Sequence, residues 1–156
     1  MLRPDNSARS PSVILPIAIG PASNPLEFEF ARHMKARIGQ SDSPLYNYAY
    51  EIATSRDSVG LNPKQETFRY HVVGKATYRL VNIATGNIAM SGSVDAFTAY
   101  SVASVDTSVT PAQGTGATIA TRAAEDDAMK RLMVMLADLA VARLMAEWGR
   151  LSDETF

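Results

Sequence analysis

The feature that most constrains the fold of this chain lies between Thr67 and Ile83. Its even positions read Phe68, Tyr70, Val72, Gly74, Ala76, Tyr78 and Leu80, and its odd positions include Arg69, His71, Lys75, Thr77 and Arg79. Side chains of a β-strand leave alternately on opposite faces, so a two-residue period of this length predicts a long strand with one dry and one wet face. Such a strand belongs in an antiparallel sheet covered on one side. The residues that follow agree with this. Ala84-Thr85-Gly86-Asn87 has the chemistry of a hairpin turn, and Ile88 to Tyr100 runs back with Ile88, Met90, Gly92, Val94 and Ala96 in phase. Tyr46 to Thr54 is a further strand, with Tyr46, Tyr48, Tyr50 and Ile52 in phase, and Asp57 to Lys64, containing Gly60 and Pro63, reads as its connection to the long strand.

Ahead of these strands, Ser12 to Ile19 is an apolar run between Pro11 and Gly20 that suits a buried strand. Pro16 removes a ladder donor, which places this strand at a sheet edge or gives it an irregularity. Asn24-Pro25 is a helix start, with Asn as cap and Pro at the first helical position, and Gly39 is a stop. The predicted helix spans 25–39, with Phe28, Ala31, Met34 (or Lys35) and Ile38 on its apolar face and His33 on its surface. A second helix is predicted over 121–148, ended by Gly149. Its apolar face carries Ala128, Leu132, Met135 with Leu136, Leu139 and Met145. Asp126–Lys130 and Asp127–Arg131 are spaced as favourable pairs. Residues 101–118, rich in Ser, Thr, Ala, Val and Gly, either extend the strands as a flap or are partly disordered.

The order strand, helix, three strands, helix requires the amphipathic helices and sheet to bury their apolar sides on each other. The expected fold is therefore α+β, a two-layer sandwich of two helices on a four-stranded mixed or antiparallel sheet. It forms one domain over 12–149 with flexible termini at 1–11 and 150–156.

The chemistry open to the chain is narrow. It has no cysteine, which excludes thiolate nucleophiles, disulfides and Cys-ligated metals, and its two histidines, His33 and His71, cannot make a three-histidine site. A net charge of -1 argues against a general nucleic-acid binder. The start, Met1-Leu2-Arg3-Pro4-Asp5-Asn6, turns polar at once and does not read as a signal peptide, which fits either a cytoplasmic protein or a mature region. Gly114-Thr115-Gly116 lacks the basic residue of a phosphate loop and reads as a flexible linker. Gly92 reads as room for a helix to pack closely on the sheet. Glu125, Asp126 and Asp127 read as helix-start charges, Asp95 as an outward strand residue, and Tyr46, Tyr48 and Tyr50 as core or rim packing. Ser91 and His71 are the only candidates for a small hydrolase, and neither has an evident partner. We expect no catalytic residue, no cofactor and no metal site.

One constellation stands apart. Arg69, His71, Lys75 and Arg79 share one parity and form a row of about 33 Å at about 3.3 Å per residue. The plain reading is a solvated basic face. The sharper one is a binding strip for an anionic partner such as a phosphorylated lipid or an acidic protein wall.

The string from Arg69 to Leu80, RYHVVGKATYRL, resembles the lipopolysaccharide-assembly lipoprotein LptE in its alphaproteobacterial form. So do Ala84-Thr85-Gly86, the run Ser91 to Tyr100 (SGSVDAFTAY), and Ala120 to Leu132 (ATRAAEDDAMKRL) followed by Leu136-Ala137-Asp138. The resemblance covers about residues 12 to 148, and its motifs are strand and helix patterns rather than catalytic signatures. It implies two helices against a four-stranded sheet, anchored to the periplasmic side of the outer membrane through a lipidated N-terminal cysteine, which has no counterpart in these residues. It also implies a non-enzymatic role, plugging and supporting the LptD β-barrel and helping to place lipopolysaccharide in the outer leaflet. The partners implied are LptD and lipopolysaccharide, with no nucleic acid, and with the membrane reached only through the anchor. The family's lipopolysaccharide-associated basic residues do not map onto a motif here, so the contact residues Arg69, Lys75 and Arg79 follow from strand parity alone. A periplasmic auxiliary lipoprotein of another envelope lipid-transport system is the alternative reading.

Overall fold

The structure, a computed structural model, describes residues 15–61, 67–103 and 114–154. Its elements in chain order are β1 (Ile17–Ile19), α1 (Pro25–Ile38), β2 (Tyr46–Leu61), β3 (Thr67–Asn82), β4 (Ile88–Ala103) and α2 (Gly114–Glu154). The strands form one sheet in the order β1-β2-β3-β4, with β1 parallel to β2 and the other neighbours antiparallel. Both helices lie on the same face of the sheet and also pack on each other. The expected two-layer α+β sandwich is therefore the fold.

The dry face of β3 carries the core. Val72, Gly74, Ala76, Tyr78 and Leu80 are all buried, whereas Val73, Lys75, Thr77 and Arg79 between them are exposed. From the helices, Phe30, Met34 and Ile38 of α1 and Leu132, Met133, Leu136 and Leu144 of α2 complete the core at 0–1% exposure. Helix α1 starts as its sequence requires. Asn24 Oδ1 accepts from Glu27 N at 2.9 Å while Glu27 Oε2 accepts from Ser23 N at 2.7 Å, and Gly39 closes the helix at φ 77°.

Several boundaries differ from expectation. The first strand is only three residues long, because the chain bends at Pro16, whose carbonyl accepts from Leu45 N and Tyr46 N; Ser12 to Ile14 lie outside the described residues. Strand β2 continues through Asp57 to Leu61, which were expected in the connection, since β3 supplies its ladder partners up to Phe68, with a register shift between Ser58 and Leu61. Between β3 and β4, Leu80 faces Met90 but Val81 faces Ile88. This bulge at Ala89 turns Ile88 to the wet side, 57% exposed, rather than into phase with Met90. Gly86 has φ 73°, and Asn82 Oδ1 accepts from Ala84 N and Thr85 N, so the turn is tied to its own first residue.

The helices also correct the sequence reading. In α1 the buried aromatic is Phe30, whose ring lies 5.0 Å from that of Tyr50, while Phe28 is 59% exposed. Helix α2 starts seven residues before Thr121 and runs through Gly149 to Glu154, so Glu125 to Asp127 are not in its first turn. Its Met135, Leu139 and Met145 are exposed, and Met133, Ala137, Ala140 and Val141 are buried instead. The reason is that α2 touches both the sheet and α1, so its buried arc is wider than a single stripe. Of the two expected pairs, Asp127–Arg131 forms at 3.1 Å and Asp126–Lys130 does not. Of the segment 101–118, Ser101–Ala103 belong to β4 and 114–118 to α2, and 104–113 lie outside the described residues, as do 1–11.

Two strand glycines set how closely the layers approach. A Cβ on Gly74 would lie 2.9 Å from both Leu132 Cδ2 and Leu136 Cδ1, so this glycine lets α2 settle onto β3. A Cβ on Gly92 would lie 2.7 Å from Tyr78 Oη and 3.0 Å from its Cζ. Gly92 thus makes room for a neighbouring ring, not for a helix as its sequence context suggested.

Candidate functional site

The row foreseen from parity is present on the uncovered face of the sheet. Arg69, Lys75 and Arg79 are exposed and His71 is half-buried, and among the described residues none of the three cations is in an ion pair. The ladder register adds neighbours that a single strand could not reveal. Asp95 of β4 stands opposite Lys75, and Asp57 and Glu51 of β2 stand opposite His71 and Thr77. Ala49 and Ser91 flank Arg79. Three cations and three carboxylates thus interleave on one wet surface, which reads as a mixed polar face rather than a continuous cationic strip. At its centre, Val73 and Phe97 face each other across β3 and β4 at 39% and 63% exposure.

Ser91 and His71 are not brought together. Ser91 pairs with Arg79, eight positions along β3 from His71, or roughly 26 Å at about 3.3 Å per residue. The Phe97 ring lies 6.1 Å from that of His71. Among the described residues no group of three His, Cys, Asp or Glu could hold a metal, and no helix is long and apolar enough to cross a membrane.

Polar chemistry on the helix-covered side gathers in three places. The first is under the C-terminal half of α2. Tyr78 Oη donates to Glu147 Oε2 at 3.2 Å, and Arg143 Nε donates to Glu147 Oε1 at 3.0 Å. Tyr48 stacks on Tyr78 at 5.3 Å with an interplanar angle of 13°, yet its hydroxyl is the one buried side-chain polar atom among the described residues that has no partner. Burial, then Tyr78 and Glu147, hold the Tyr48 phenol far above the ordinary tyrosine range. Burial and then Glu147 raise Tyr78 as well. At the rim, Tyr50 is pushed up to about 12 by burial and then Glu27, and its hydroxyl donates to the Gly20 carbonyl at 3.2 Å.

The second place is towards the other end of the sheet. Arg56 lies over the Tyr70 ring at 5.2 Å, donates to Tyr100 Oη at 3.3 Å and pairs with Glu125 at 3.1 Å, while Tyr70 and Tyr100 stack at 5.3 Å. The Tyr100 hydrogen bond is the largest cause raising the Arg56 pKa. Glu125 is thus an anchor of α2 on the sheet, and Arg56 had no signal of its own, since the alternation of β2 fades after Ile52. The third place joins the helices. His33 Nε2 lies 2.9 Å from Asp138 Oδ1, to which Arg37 Nη1 donates at 2.7 Å, so His33 is an interhelix residue rather than a free surface one.

Two helices on one face of a four-stranded sheet, with the opposite face bearing exposed charges, define a small α+β sandwich. No known family and no curated protein matches the sequence. The fold does recur among solved structures. A candidate lipoprotein from Caulobacter crescentus CB15 matches 90% of this chain and 94% of its own at 18% identity, with a TM-score of 0.59. The rare lipoprotein B from Shewanella oneidensis matches 87% of this chain and 96% of its own at 11% identity, with a TM-score of 0.51. A minor lipoprotein from Acinetobacter baumannii matches 84% and 89% at 14% identity, with a TM-score of 0.50. This chain is similar to them in fold.

Proposed function

We propose that this chain is the folded domain of a non-enzymatic envelope lipoprotein of the LptE type, which sits inside the LptD barrel at the periplasmic side of the outer membrane and helps to place lipopolysaccharide. The observation that carries this reading is the near full-length likeness in fold to three lipoproteins, rare lipoprotein B among them. The wet sheet face supports it. A barrel lumen is polar, and a plug suited to it presents mixed charges rather than an apolar surface. Arg69, Lys75 and Arg79 carry no ion pair with the described residues, which leaves their donors for carboxylates of a barrel wall or phosphates of lipopolysaccharide.

The test is co-purification of the domain, expressed in the periplasm, with the LptD barrel from detergent-solubilised outer membranes. The expected result is a one-to-one complex that survives salt and loses yield when Arg69, Lys75 and Arg79 are changed together to Glu. Absence of a complex with a verified, folded barrel removes this reading in favour of an auxiliary lipoprotein of another lipid-transport system.

A further inference from the structure

Strand β4 ends the sheet, and no described residue pairs with its outer edge. An open edge of sixteen residues is a template for another strand, and proteins ordinarily blunt such edges with lysine, proline or short length. Between Ile88 and Ala103 there is no lysine and no proline, and Asp95 is the only charge. On the opposite side β1 covers only Tyr46–Tyr48 of β2, and the rest of that edge carries three charges, Glu51, Arg56 and Asp57.

Two further features lie beside this edge. At about 100° per residue, Asp138 points α2 towards α1, and Leu132 and Leu136 point it at Gly74 on β3. Met135, Leu139, Ala142 and Ala146 fall about 120–180° round the helix from Trp148, which meets Tyr46 of β2, and so on the flank turned away from β2 and towards β4. All four are exposed, Met135 and Leu139 at 41% and 43%. On the wet side of the same strand stands Phe97 at 63%. These features share a level along the molecule, because Gly74, which meets Leu132 and Leu136, pairs with Ala96.

We infer that β4 is a self-association edge, at which two copies of the chain pair β4 with β4 in antiparallel fashion about a two-fold axis at Phe97. This register keeps parity, so both helix layers fall on one side of a continuous eight-stranded sheet. It sets Phe97 against its symmetry mate and Asp95 against Ala99, avoiding an abutting pair of carboxylates. The layer widths also match. Four strands at about 4.8 Å span roughly 19 Å, which is the width of two helices at about 10 Å each, so joined copies bring α2 beside its mate with no gap. Met135 and Leu139 are then covered by the same residues of the second copy, whereas a lone added strand would complete the ladder and leave that flank bare. A seam about 43 Å long and about 15–20 Å deep buries roughly 650–850 Å² per copy, the size of a standard specific interface.

The chain has no cysteine, so an introduced one reports its own neighbour. We expect sedimentation equilibrium between about 5 and about 500 µM to show a monomer–dimer equilibrium, with Leu139→Lys raising the dissociation constant about tenfold or more. Under mild oxidation Phe97→Cys should give a covalent dimer much faster than Val73→Cys, which is exposed one strand further from the axis. A monomer throughout the range overturns the inference. So does a dimer whose Cys-substituted chains cross-link no faster from position 97 than from position 73, since that places the contact elsewhere. Circular dichroism of each variant confirms that the fold is kept.

Discussion

Tyr48→Phe should stabilise this protein. Tyr48 is 0% exposed, its ring is held between Tyr78 at 5.3 Å and Tyr50 at 6.3 Å, and its hydroxyl has no hydrogen-bond partner. A tyrosine with a bonded hydroxyl loses about 1 kcal/mol on this change, but a buried hydroxyl without a partner has already lost its bonds to water, at a cost of about 1–3 kcal/mol. Phenylalanine keeps the ring and the stack and removes that cost, so the expected gain is about 1 kcal/mol. The control is Tyr78→Phe, one strand away, which gives up the bond to Glu147 and should lose about 1 kcal/mol. Urea unfolding followed by circular dichroism reads both as shifts of the midpoint at unchanged slope. Alkaline pH gives Tyr48→Phe a second readout. Burial favours the neutral phenol, so the folded pKa of Tyr48 lies above its unfolded value of 10.0. Its contribution is complete below about pH 10 and is lost as pH rises towards the folded value, at about 1.4 kcal/mol per pH unit for one proton. The Tyr48→Phe protein should therefore fall off less steeply than wild type above about pH 10. If it is instead less stable than wild type by more than about 0.5 kcal/mol, or shows the same alkaline slope, the argument is refuted and the hydroxyl is bonded after all.

Three other outcomes follow from the packing. Gly92→Ala should cost about 1–3 kcal/mol in urea unfolding, because its Cβ would press on Tyr78 at 2.7 Å and push that ring off Glu147. Phe30→Ala should cost about 3–5 kcal/mol, whereas Phe28→Ala, two residues earlier, should stay within about 0.5 kcal/mol; comparable losses would mean that α1 is rotated from the position described. Asp138→Asn weakens the contacts with His33 and Arg37 at a half-exposed site, so its effect should stay below about 1 kcal/mol and shrink further in about 1 M salt, as thermal melts at two salt concentrations can show.

How far residues announced their own places depended on how many neighbours decided them. The two faces of β3 were readable because its alternation is strict and one flank is wet. The start of α1 was readable because Asn24, Pro25 and Glu27 act locally. Phe28 and Phe30, in contrast, are two residues apart on a helix and cannot both point inwards, and the choice between them came from where Tyr50 stands. In α2 apolar residues surround much of the helix, so only its simultaneous contact with α1 and the sheet separates buried Met133 and Val141 from exposed Met135 and Leu139. The row Arg69, Lys75 and Arg79 was visible from parity, but the carboxylates that interleave with it come from β2 and β4. Their positions depend on register, which includes a bulge that no single strand reports. Arg56 is a similar case. It sits where the pattern of β2 has already faded, and its role exists only because Tyr70, Tyr100 and Glu125 converge on it.

The dent at Gly74 has a mechanical consequence. Helix α2 has 41 residues and is about 60 Å long, and it comes down hardest on the sheet where Leu132 and Leu136 enter that dent. Roughly 13–20 Å to either side its links to the sheet include polar ones, Glu125 with Arg56 and Glu147 with Tyr78, the latter beside the edge-on contact of Trp148 with Tyr46, and the polar bonds exchange with water at little cost. We expect the ends of the helix to loosen before the apolar contact at Gly74 does. Amide exchange should register this as protection that is highest around Leu132 to Leu136 and declines towards both tethers.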